Sequence, residues 1–160
     1  MIVISDSSPI RALADVDCLE VLATLYGEVY IPPAVLDELE NPRSELPPLS
    51  IRILTFIHVK GPKNQKAVRD LCATLDAGES EAIVLAIEMG ADVLLMDEKI
   101  GRAEAKRRGL TVTGVLGVLI NAKLNGIVPA VKPLLDRLQT ETAFFVSVQL
   151  REEVLRQAGE

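Results

Sequence analysis

The sequence predicts an α/β fold with a mostly parallel central sheet, and three observations predict it. Short apolar runs alternate with longer stretches of helical spacing, the pattern of strands joined by crossover helices. Hydrophobic residues make up 49% of the chain, but aromatics only 3%, with no Trp, so the core must be built from Val, Leu, Ile and Ala. That mixture suits helices packed on a sheet buried on both faces. Finally, two of the apolar runs end directly in an aspartate, at the rim where open parallel sheets bind ligands.

Ile2–Ser5 is a short apolar run and reads as a buried strand. Pro9–Ala14 and Cys18–Leu25 have helical spacing, with Asp17 as the expected N-cap of the second. Glu28–Ile31 is a second strand. Pro32 and Pro33 then open the helix Ala34–Glu40, proline being favoured in a first helical turn. Asn41–Ser50, with Pro42, Pro47 and Pro48, is a loop, and Phe56–Val59 a further strand. Gln65–Leu75 is an amphipathic helix. Glu79–Met89 is another, with Ala82, Ile83, Ala86 and Ile87 on one face and Gly90 ending it.

Val93–Met96 is a buried strand that runs into Asp97. Glu98–Arg108 is a polar helix stopped by Gly109, followed by a strand at Thr111–Thr113. Val115–Leu124 and Val131–Gln139 are helices, Val146–Ser147 an edge strand, and Leu150–Gln157 the last helix. The chain of 160 residues suits one domain, 1–160, with a helical extension from about 129 to 160.

Charge and composition narrow the function. The net charge of −6 argues against a broad basic face for nucleic acid, so any such contact needs a local patch. Cys18 and Cys72 sit in amphipathic patterns and read as small core residues of a reducing compartment. The N-terminus lacks the basic region of a signal peptide, and the longest apolar stretch, Val115–Ile120, is too short to span a bilayer. A soluble, cytoplasmic protein is expected.

Four acids stand out. Asp6 and Asp97 each follow a strand directly, although a turn or an N-cap is an equally good reading of either alone. Glu38 falls three residues after Val35, beside the buried stripe Val35–Leu39, with Asp37 and Glu40 expected to face solvent. Glu79 shares a face with Ala82 and Ile83, but Asp76 and Glu79 also have capping-box spacing. Like charges about 5 Å apart repel by roughly 3 kcal/mol at an effective dielectric near 20. A cluster of four therefore calls for cations, and all-oxygen ligands suit Mg²⁺ or Mn²⁺. The single histidine, His58, argues against an imidazole-rich zinc site.

At these residues the sequence resembles the PIN-domain ribonucleases, and within them the VapC-like toxin branch. Asp6-Ser7-Ser8 resembles the family's opening motif, and Ile31–Leu39 its second block, with the acid at Glu38. Gly78–Ala86 resembles the third block, and Leu94–Glu98 the fourth, with the acid at Asp97. The third acid is Glu79, where many relatives carry Asp, with Glu81 as the second choice. Many relatives also carry a hydroxyl residue two positions before the fourth acid; here Leu95 stands there.

The resemblance implies a PIN-like three-layer α/β/α fold and a divalent-metal-dependent endoribonuclease, a hydrolase of RNA phosphodiesters using Mg²⁺ or Mn²⁺. It also implies a toxin held by a cognate antitoxin, and a homodimer. Asp6, Glu38, Glu79 and Asp97 would be both the metal ligands and the catalytic residues. Ser8 would bond Asp6 or a metal-bound water, and Arg11, Lys99, Arg102 and Lys106 would contact RNA. Lys60, Lys63, Lys66 and Arg69 form a second basic group. Two other functions remain in view. An inactive PIN-like module binding RNA or protein is one. The other, a phosphatase of the haloacid dehalogenase type, needs a second aspartate where Ser8 stands.

Overall fold

The computed structural model describes residues 1–43 and 45–160; Ser44, inside the predicted loop, lies outside them. Its sheet is five-stranded and wholly parallel. The strands are β1 (Val3–Ser5), β2 (Val29–Ile31), β3 (Ile57–Val59), β4 (Val93–Leu95) and β5 (Val112–Thr113), in the spatial order β3-β2-β1-β4-β5. The connecting helices are α1 (Ser7–Asp15), α2 (Val21–Tyr26), α3 (Pro33–Glu40), α4 (Gln65–Leu71), α5 (Ala77–Met89) and α6 (Lys99–Arg107). Three more follow the last strand: α7 (Val115–Leu124), α8 (Lys132–Glu141) and α9 (Val148–Gln157).

Strand periodicity divides the core into two apolar layers. Val3, Val29, Ile31 and Leu95 point into one, with side chains from α1, α2, α3 and α7 to α9. Ile4, Leu94 and Met96 point into the other, against α4, α5 and α6. Successive residues of one strand thus serve opposite faces, which is why these strands read as unbroken apolar runs. The three-layer α/β/α arrangement follows. Each fully buried Leu, Ile or Val contributes roughly 1.5–3 kcal/mol relative to an exposed one.

Most predicted elements form with ends shifted by a residue or a few, and four expectations are corrected. Asp17 does not cap a helix: it adopts a left-handed conformation (φ 55°) at the end of α1, and its carboxylate pairs with Arg137 at 3.1 Å. Val146–Ser147 is not a strand: Val146 is buried in the core, and the Ser147 hydroxyl caps α9 by accepting from Leu150 N–H at 3.1 Å. Cys72 is exposed rather than packed, while Cys18 is buried; both are free thiols. Ile87 is exposed, although Ala82, Ile83 and Ala86 of the same predicted stripe are buried. A short 3-10 turn at Ile51–Ile53 also ends the proline-rich loop. Among the described residues no helix is long and apolar enough to cross a membrane.

Candidate metal centre

Sheet register places the two strand-end aspartates. β1 and β4 are neighbours, with Ser5 opposite Leu95, and Asp6 N–H donates to Leu95 O at 2.9 Å. Asp6 and Asp97 therefore leave the carboxyl ends of adjacent strands, on one rim. The Asp6 carboxylate accepts from Ser7 N–H but is almost wholly buried, and its Oδ1 has no hydrogen-bond partner. Burial, and then the charges of Asp76, Glu79 and Glu38, push its pKa up to about 8, against the single lowering bond from Ser7.

The rim extends from Asp6 towards α3 and the start of α5. Glu38 Oε2 and Asp6 Oδ1 lie 3.1 and 3.4 Å from the point where a side chain on Gly78 would begin. Glu38 is exposed as a residue, yet desolvation still raises its pKa, with a hydrogen bond from the Ser7 hydroxyl lowering it. Asp37 faces solvent as expected. Glu40 does not: it is half-buried and accepts from Arg52 Nε at 3.1 Å.

Glu79 is buried at the first turn of α5. The capping box forms, with Glu79 N–H donating to Asp76 Oδ1 at 2.8 Å and Asp76 N–H reaching Glu79 Oε2 at 3.4 Å. Burial and the nearby charges of Asp76, Glu98 and Glu38 raise the Glu79 pKa against that backbone bond. Glu81 has a different partner, since its carboxylate accepts from Ala34 N–H in the first turn of α3. Asp76 thus joins Asp6, Glu38 and Glu79 in one electrostatic group. Its capping spacing marked it in the sequence, but not its place beside Asp6.

Asp97 shares the rim yet faces a different neighbourhood. Its Oδ1 accepts from Val115 N–H at 3.0 Å, at the start of α7, while its Oδ2 is buried without a partner. Burial lifts its pKa to about 6, opposed by the Val115 bond and the Arg102 guanidinium and reinforced by Glu98. Arg102 is anchored by donating to Met96 O at 2.9 Å. Glu98 acts on both Glu79 and Asp97 and links the two halves of the rim. Among the described residues, no three His, Cys, Asp or Glu side chains converge closely enough, as they stand, to hold one ion.

The expected substrate residues divide. Ser8 and Arg11 line a hollow of about 520 Å³ shared with Ser7, Glu38, Asp76 and Gly78. The hydroxyl that bonds a rim acid is that of Ser7, not Ser8. Arg11 lies 4.0 Å from Asp15, and its Nη1 is otherwise buried and unpartnered. Lys99 and Lys106 are exposed on α6, whereas Arg102 turns inward, so the predicted shared face of Arg102 and Lys106 is not a common solvent face. Arg107 and Arg108 are engaged by Glu104. Lys60 and Lys63 border a separate hollow of about 670 Å³ with Ile2, which stands at the opposite end of β1 from Asp6, and Lys66 pairs with Asp70 at 3.5 Å.

Open parallel α/β sheets bind ligands outside the carboxyl ends of their strands, and this sheet gathers acids there. A family model described as PIN domain matches residues 2–160, and the chain belongs to that family. PIN domains are generally nucleases. No curated protein matches the chain.

Proposed function

We propose that this protein is a divalent-metal-dependent endoribonuclease whose centre is formed by Asp6, Glu38, Glu79 and Asp97. The observation that carries the reading is the buried Asp6 carboxylate, with one oxygen unpartnered, set among Asp76, Glu79 and Glu38, on the same rim as an Asp97 that also keeps an unpartnered buried oxygen. Buried polar atoms are nearly always satisfied, and an acidic group of this density is stabilised by cations. The donor set is all oxygen and fits Mg²⁺ or Mn²⁺.

When bound, such ions supply an activated water and stabilise the leaving oxygen of a phosphodiester. The chain's own residues orient the acids. Ser7 holds Asp6 through its N–H and Glu38 through its hydroxyl. Val115 N–H and Arg102 hold Asp97, supplying the support that a hydroxyl residue at position 95 gives in relatives; Leu95 itself packs in the core. Gln-like neutrality at position 81 would not disturb this set, because Glu81 serves α3. Lys99, exposed at the start of α6, is the cation placed to meet RNA phosphates, while Arg11, its Nη1 buried and 4.0 Å from Asp15, lines the hollow that Glu38 shares. The roles of toxin, antitoxin partner and homodimer follow from the resemblance to the VapC-like branch and are part of the same proposal.

The test is RNA cleavage with Mg²⁺ or Mn²⁺ by the wild-type chain and by Asp6→Asn and Asp97→Asn. The expected result is cleavage by the wild type, abolished by EDTA and reduced at least a hundredfold by either substitution. Cleavage that survives both substitutions rejects the assigned centre. A wild type that binds RNA without cutting it supports an inactive RNA-binding module instead.

A further inference from the structure

We infer that Gly78 is a positioning residue whose missing side chain keeps open the space between Asp6 and Glu38 that a divalent cation needs. This rests on the metal centre proposed above and adds a residue that carries no ligand atom of its own.

Gly78 lies in the first turn of α5, one residue before Glu79, and is buried. Glycine is a poor helix former, and alanine would be favoured at any helical position that tolerates it. The usual reason for glycine, a positive φ, is absent here: Gly27, Gly90, Gly109, Gly126 and Gly159 have it and Gly78 does not. What remains is room. A Cβ on Gly78 would meet Glu38 Oε2 at 3.1 Å, Asp6 Oδ1 at 3.4 Å and Val35 Cγ2 at 3.4 Å. Two of these three neighbours are carboxylate oxygens of the rim. The closest is the far end of a flexible glutamate, so an added methyl displaces the acid before it disturbs the helix.

The Asp97 side repeats the arrangement. Gly114 has an extended backbone (φ −95°, ψ −177°) that any residue adopts, and a Cβ there would collide with Asp97 Oδ1 and approach Arg102 Nη1 to 3.0 Å. Gly114 is also an N-cap, a position where glycine is accepted on other grounds, so Gly78 carries the argument and Gly114 supports it. Gly61 provides a contrast: it too lacks a positive φ, and a Cβ there would touch only Pro33, at 3.7 Å.

The experiment measures Mn²⁺ affinity, by calorimetry and by the shift in melting temperature, for the wild type, Gly78→Ala and Gly61→Ala. Gly78→Ala should melt at or above the wild-type temperature without metal, yet bind Mn²⁺ at least tenfold more weakly; Gly61→Ala should bind as the wild type does. Wild-type affinity in Gly78→Ala overturns the inference and leaves the metal centre standing. A Gly78→Ala chain that does not fold also overturns it, because the methyl would then act on packing rather than on the acid. A wild type that takes up no Mn²⁺ removes the metal centre itself.

Discussion

At the scale of single residues, the chemistry depends on how a carboxylate is surrounded. Asp6 and Asp97 both sit where ionisation is disfavoured, with pKa values raised to about 8 and about 6, burial being the largest cause for each. A raised carboxylate has a definite linkage. Between the unfolded value near 4 and the folded value near 8, the folded state holds a proton that the unfolded state has released, so stability without metal falls as pH rises through that window. Asp6→Asn removes the titrating group. Measured by denaturant unfolding in EDTA, Asp6→Asn should therefore gain on the wild type as pH rises from about 4 to about 8, by an order of a few kcal/mol. A difference that does not change with pH would show that Asp6 is ionised at an ordinary pKa.

At the scale of elements, the helix starts do most of the positioning. α5 begins with the Asp76–Glu79 capping box, α7 presents Val115 N–H to Asp97, and Glu81 on α5 satisfies Ala34 N–H on α3. Glu81 and Glu79 are two residues apart on one helix, yet they serve different ends: one joins two helices, the other faces the rim. Glu81→Ala should cost about 1 kcal/mol of stability, as loss of a capping acceptor typically does, while leaving the Mn²⁺-induced rise in melting temperature intact. Loss of the metal response with unchanged stability would reverse the assignment of the two glutamates.

The same contrast shows what the sequence could reveal. β1 and β4 were legible because strands buried on both faces are short apolar runs, and an aspartate at the end of each is visible in one dimension. Glu79 and Glu81 could be separated only by a contact across to α3, which no periodicity along α5 contains. Asp17 is ambiguous in the sequence because a turn aspartate and an N-cap aspartate share the same local signal, and the partner that decides between them, Arg137, lies far along the chain. Val146 looked like an edge strand because a single buried aliphatic before a capping serine has the same composition as a strand end. Gly78 carries no signal of its own in one dimension, since its meaning lies in the space around it.

For the whole molecule, the sheet order β3-β2-β1-β4-β5 explains why the two strand-end aspartates share one rim. The chain passes through β2 and β3 before returning to lay β4 beside β1, so Asp6 and Asp97, 91 positions apart by their numbers, emerge at one rim. The acidic excess behind the net charge of −6 is partly concentrated there, and it sets a repulsion that the proposed divalent cation would relieve. The most direct test is anomalous scattering from crystals soaked in Mn²⁺. A manganese peak is expected in contact with Asp6 Oδ1, with Asp97 Oδ2 turned towards the same rim. Manganese bound elsewhere on the protein, with both of those oxygens left without it, would contradict it.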